Sequence, residues 1–240
     1  MTITSIAEPD KESSTASQST SSWLGFAAPL GGVGFTVLYT VLGTTRQGYN
    51  PTRQLISALG AGSGGLALNV GFIFAGLLLI LGVIGFARSL GELTTRRRAT
   101  VALLLAFPLL GLIICGFFHM DTNLTVHTIG AQLACGLPIV TFSVAAALLW
   151  RKARRTSTWL IVSAILALLA LLGYMFLSTT TYTDFSSIAG GGTIGLWERI
   201  LAIVLFTVCY PSLGIVGVVN SRRRKAAETR VLEPSEIRDA

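Results

Sequence analysis

From residue 23 onward the chain alternates long uncharged apolar runs with short polar or basic joints, and there are six such runs. They extend over approximately 23–42, 66–87, 99–118, 127–150, 158–177 and 196–219, each close to the roughly 20 residues a helix needs to cross about 30 Å of hydrocarbon. The runs are continuously apolar, whereas the strands of a membrane barrel alternate in segments of about ten. Helices also satisfy every backbone group within the segment. The pattern therefore predicts an all-α polytopic membrane protein with six transmembrane helices. Pro29, Pro108, Pro138 and Pro211 fall within four of them and predict kinks, with the freed carbonyls re-satisfied by neighbouring helices. Broken helices carrying mid-membrane charges, which mark many secondary transporters, are not evident.

The flanks read differently. Residues 1–22 contain 11 Ser or Thr and just two strongly apolar residues, Ile3 and Ile6, too little apolar surface to offset the entropy of ordering. A disordered tail is expected there. Its charges, Glu8, Asp10, Lys11 and Glu12, do not form the basic opening of a secretory signal. A six-helix domain over 23–220 and a basic tail over 221–240 complete the expected organisation.

Composition supports the membrane class. Of 240 residues, 52% are hydrophobic and 12% charged, with mean hydropathy +0.69, while soluble domains spend about 25% of their residues on charges. Of the 18 basic residues, 15 fall in the tails and the joints after the second, fourth and sixth runs, leaving Arg46, Arg53 and Arg199 on the opposite side. Because Lys and Arg are retained in the cytoplasm, both termini are expected inside a cell membrane. Trp23, Trp150, Trp159 and Trp197 lie near run ends, where indoles favour the headgroup zone. Topology thus accounts for the net charge of +7, and no folded basic face with aromatic platforms indicates nucleic acid. The expected partners are membrane lipids, with weak attraction of the basic joints to anionic inner-leaflet lipids, and a second copy or another membrane protein. Glycine and alanine spacings in GGVGF, GVIGF and SVAAAL suit close helix packing. Cys115, Cys135 and Cys209 sit in apolar runs at spacings fitting neither a disulfide framework nor a metal site, and no motif calls for a cofactor.

The candidate chemistry lies on the outer side. NPTRQLISALGAG reads as a short interfacial or re-entrant helix capped by Asn50, opened by Pro51 and ended by Gly60 or Gly62. At about 100° per residue, Arg53 and Ser57 share one side of it. The alternative is that Arg53 snorkels to headgroups and Ser57 bonds a carbonyl. The second outer joint, GFFHMDTNLTVHTIGAQL, holds both histidines, His119 and His127, with Asp121 between them. In GGGTIGLWERIL, Glu198 and Arg199 open the sixth helix, and adjacent helix residues do not face one another, so Glu198 is expected to face the bundle. Asn69 and Gln132 read as interhelical hydrogen-bond partners. A polar stretch, TTTYTDFSS, precedes the last element.

TRQLISALGAGSGGLALNVGF, GFFHMDTNLTVHTIGA and GTIGLWERIL resemble the blocks of a bacterial membrane family named only as domain of unknown function 998. The resemblance covers about residues 24–220. It implies a six-helix membrane fold and brings no established activity. Its Ser-x-x-Gly, Gly-x-Phe-x-x-Asp, later His, and late Glu-Arg elements fall on Ser57, Asn69, Asp121, His127, Glu198 and Arg199 of this chain, which departs from the pattern at His119, where the family shows proline.

Three function classes remain. The first is a binding or accessory protein whose outer pocket, with Arg53, Asn69, Glu198 and Arg199, holds a lipid headgroup or small anion. The second is a membrane hydrolase with Ser57 as nucleophile, His127 as base and Asp121 as its orienter, or a metal version using His119, Asp121 and His127. Ser, Asp and His near one membrane face are similar to the alkaline ceramidase type of metallohydrolase, but that type needs three histidines and this chain has two. The third is a small transporter.

Overall fold

The structure, a computed structural model, describes residues 11–177 and 192–232. The first ten residues of the expected tail, the TTTYTDFSS stretch and the last eight residues lie outside the described set. Among the described residues the chain is all helical: α1 (Lys11–Thr45), α2 (Leu66–Ser89), α3 (Thr95–Ala106), α4 (Leu110–Phe117), α5 (Leu124–Cys135), α6 (Leu137–Leu149), α7 (Arg154–Leu177), α8 (Ile194–Ala202) and α9 (Tyr210–Leu232), with 3-10 turns at Ile56–Gly60 and Phe107–Leu109 and a π-helical stretch at Ile203–Cys209. They form six stretches long and apolar enough to cross a membrane: Trp23–Thr45, Leu66–Ser89, Thr95–Phe117, Leu124–Leu149, Arg154–Leu177 and Ile194–Ala227. α1 begins at Lys11, ahead of the Trp23 expected from the sequence, because lengthening an existing helix costs far less than nucleating one.

Three spans are interrupted, each at a proline. Pro108 lies in the 3-10 turn joining α3 to α4, and Pro138 stands just after the Gly136 break between α5 and α6. Pro211, second in α9, has no N–H for the carbonyl four residues back, and the wide π turns end just before it. Pro29 sits inside α1 without a break. None of these interruptions carries a charged residue.

α1, α2 and α9 pack at the centre through small residues. A Cβ on Gly85 would meet the backbone at Leu24 and Gly25, one on Gly82 would overlap Ala28, and one on Gly32 would overlap the Phe206 carbonyl. The GGVGF and GVIGF spacings are thus contact surfaces inside this chain, and Ala145 and Ala146 of SVAAAL are likewise buried. Large apolar side chains such as Phe74, Leu103 and Phe176 are instead 60% or more exposed, the outward-facing surface that lipid covers. Trp23 and Trp150 are exposed, whereas Trp159 turns inward and donates to Ser212 Oγ at 2.6 Å. The three cysteines are free thiols.

The joints segregate by end. The basic α2–α3 and α6–α7 joints meet the arginines of α9 at one end. The α1–α2 loop, the α4–α5 turn and the start of α8 meet at the other.

Candidate functional site

Asn50 caps as its position predicts, its side-chain oxygen accepting from the Thr52 and Arg53 N–H groups at 3.0 and 3.3 Å. The single helix expected beyond it is absent. Leu55 is extended (φ −60°, ψ 150°), and a separate 3-10 turn, Ile56–Gly60, follows. The chain reverses at Gly62, whose φ of 74° suits glycine. The extended residue interrupts the 100° progression that had put Arg53 and Ser57 on one side. Arg53 is exposed and Ser57 is buried with the rest of the turn.

An isolated buried turn leaves N–H and C=O groups unpaired at both ends, and irregular backbone is tolerated at membrane depth only where protein or a wet cavity satisfies it. Here side chains from the surrounding elements satisfy it. The partly buried Glu198 carboxylate accepts from the Ile56 N–H at the positive end of the turn, with the Ser57 N–H also directed at it. At the other end Arg46, one residue past α1, donates from Nη1 to the carbonyls of Ala58 (3.2 Å) and Leu59 (2.9 Å) and from Nη2 to Ala61 (3.1 Å). Asn69 on α2 donates to the Gly60 carbonyl at 2.9 Å, and Asp121 Oδ2 accepts from the Gly62 N–H at 2.8 Å.

Arg199 holds the first part of the loop. Its Nη1 donates to the carbonyls of Pro51 (2.6 Å), Gln54 (3.0 Å) and Gly195 (2.8 Å), and its Nη2 to the Tyr49 hydroxyl. That hydroxyl passes its own proton toward the Gln54 and Leu55 carbonyls at 3.2 and 2.9 Å. Burial pushes the Tyr49 phenol above its ordinary pKa, with the bond from Arg199 pulling the other way, so it stays a neutral donor. α8 also touches the loop through backbone: Leu196 N–H donates to the Thr52 carbonyl at 3.0 Å, and a Cβ on Gly195 would overlap the Gln54 carbonyl. Glu198 and Arg199 do diverge from the helix, as adjacent residues must, but both reach the same loop.

The structure does not link Ser57, His127 and Asp121 in sequence. Ser57 Oγ is 3.7 Å from Met120 Sδ. His127 is buried, and its Nδ1 is 2.9 Å from the Phe118 carbonyl. Asp121 is exposed and engaged with Gly62. His119 contributes its carbonyl, which accepts the N–H groups of Thr122 and Asn123 and shapes the turn before α5. Among the described residues no group of three His, Cys, Asp or Glu side chains is arranged to hold a metal ion, so His119, Asp121 and His127 do not gather. Asn69 bonds the loop rather than another helix, and Gln132 is exposed.

Sequence reasoning missed Arg46 and Tyr49. A signal for Arg46 was available: it is one of three basic residues at the end that otherwise lacks them, so it needed a local reason to be there.

No curated protein and no solved structure matches the chain. The family described as a protein of unknown function, DUF998, matches residues 29–214, which reaches into all six spans and includes every side chain that pins the loop. This chain belongs to the DUF998 family.

Proposed function

We propose that the protein is a non-catalytic binding or accessory component of a cell membrane, with its pinned loop presenting a fixed polar surface to a lipid headgroup or small anion on the extracytoplasmic side. The orientation follows from retention of the basic joints in the cytoplasm. The observation that carries the reading is the allocation of the ionisable groups: Arg46, Arg199, Glu198 and Asp121 are all spent on the backbone of residues 51–62. Arg53, exposed at the front of that loop, has no side-chain partner among the described residues and is the cation left for a ligand. A nucleophile needs a base within hydrogen-bond reach, and the side chain beside Ser57 Oγ is a thioether.

The test reads the loop itself. In nanodiscs, hydrogen exchange of the amides over 50–62 slows when phosphatidylcholine is replaced by phosphatidylglycerol, and Arg53→Ala removes the slowing. Equal slowing in wild type and Arg53→Ala overturns the assignment of Arg53. A serine-reactive fluorophosphonate that labels wild type and fails to label Ser57→Ala overturns the non-catalytic reading in favour of the hydrolase.

A further inference from the structure

At the opposite end of the bundle a cavity of about 280 Å³ opens between the α2–α3 joint, the α6–α7 joint and α9. Its lining includes Lys152, Arg223 and Arg224 against a single acid, Glu92, with the hydroxyl of Thr156 and the amide of Asn220 beside them. None of the three cationic side chains has a hydrogen bond or ion pair among the described residues, in contrast to Arg46 and Arg199 at the far end. The buried Leu90 and Leu93 form apolar wall, which strengthens any charge interaction inside by lowering the local dielectric.

Two features show that this is a shaped site rather than a diffuse basic surface. Arg224 lies against Gly91, where even a Cβ would overlap its guanidinium, so the missing side chain at 91 gives Arg224 its place. The cations also come from two elements separated in sequence, yet they line one cavity with Glu92 as the single acid among them.

We propose that this cavity binds a phosphate group, carried either by an anionic lipid or as free phosphate. Guanidinium and ammonium donors match phosphate oxygens, and Thr156 and Asn220 can supply neutral donors. The volume is near the roughly 300 Å³ at which small-molecule pockets begin, which suits a headgroup and not acyl chains. The site lies where α2 ends and α7 begins, and its Lys152 is two residues from the exposed Trp150, an indole of the kind that favours the headgroup zone. The inference is independent of the reading of the outer loop and of which side of the bilayer this end faces.

The test uses the full chain purified in detergent, with bound lipid counted by native mass spectrometry and thermal unfolding followed during titration with inorganic phosphate. Wild type retains phosphatidylglycerol over phosphatidylcholine. Arg224→Gln weakens that retention about tenfold, the scale of losing one charge-assisted hydrogen bond to a phosphate oxygen. Gly91→Ala weakens it similarly while keeping every charge, because the new methyl displaces a flexible guanidinium rather than backbone. Arg96→Gln, which removes a charge outside the cavity, leaves retention unchanged. If inorganic phosphate raises the unfolding temperature of wild type but not of Gly91→Ala, and phosphatidylglycerol shows no preference, the site is one for soluble phosphate. Loss of retention in Arg96→Gln equal to that in Arg224→Gln, wild-type behaviour of Gly91→Ala, or binding of neither probe overturns the proposal.

Discussion

Replacing Arg46 with alanine tests whether charged side chains hold the pinned loop. Arg46 donates to three carbonyls. The Ala58 carbonyl keeps a second donor, the Ala61 N–H at 3.3 Å, while those of Leu59 and Ala61 are left without one among the described residues. A buried acceptor stripped of its partner costs about 1–3 kcal/mol. The site is only part-buried, so water meets some of the loss, and two orphans together cost about 2–4 kcal/mol. At 1.4 kcal/mol per tenfold, the loop opens about 30 to 700 times more often. Hydrogen exchange of the amides of Ile56–Gly62 in detergent micelles measures this directly, because Ile56 and Gly62 N–H groups are bonded only while the loop is seated. Arg46→Lys falls between wild type and alanine, since an ammonium cannot span three carbonyls with a rigid fork. Arg53→Ala, an exposed change away from these bonds, stays within about 0.5 kcal/mol. Exchange in Arg46→Ala indistinguishable from wild type, or Arg53→Ala loosening the loop as much, refutes the reasoning.

Gly195→Ala places a methyl against the Gln54 carbonyl, which is backbone and cannot swing away, so α8 must move off the loop. Overpacking of this kind costs about 1–3 kcal/mol, readable as a lowered thermal unfolding midpoint together with faster exchange at the Leu196 amide; an unchanged midpoint would contradict the close approach. A reporter enzyme fused after Lys225 is expected to be active only in the cytoplasm, and activity only outside the cell would reverse the orientation and move the pinned loop to the other compartment.

The six spans were legible because uncharged length and continuous hydropathy are properties of the chain alone, and their bounds shift by only a few residues at most ends. The prolines announced the interruptions, although not whether the helix would tighten, as at Pro108, widen, as before Pro211, or continue, as at Pro29. Those outcomes depend on which neighbours receive the freed groups. The pinned loop was legible in its cap at Asn50 and its turn at Gly62, but not in its middle. One extended residue, Leu55, separates Arg53 from Ser57, and nothing local in the sequence dictates it: the bend is held by Glu198, Arg199 and Tyr49 from other elements. The blocks that hold Ser57, Asn69, Asp121, Glu198 and Arg199 placed them toward one end of the bundle, but their meeting around one loop was not readable from the sequence. Nor were their individual partners, because a side chain near a membrane boundary has the same letter whether it meets a ligand or a carbonyl.

Deciding between those two uses requires an account of where irregular backbone finds its hydrogen bonds. At the pinned loop most of the account closes. The carbonyls of Pro51, Gln54, Leu55, Ala58, Leu59, Gly60 and Ala61 each meet a side-chain donor, and the N–H groups of Ile56, Ser57 and Gly62 meet carboxylates. Arginine is suited to that task because one guanidinium serves several carbonyls and never deprotonates. A loop tied from α1, α2, α8 and the α4–α5 turn loses little entropy when something docks on it, which favours recognition by a preformed surface. At the basic end the same accounting leaves a remainder: Lys152, Arg223 and Arg224 face a cavity with no internal partner among the described residues. Arginines at the two ends therefore differ in what they have left to offer. Those of the pinned loop fix a shape, and those of the cavity remain free to meet an anion.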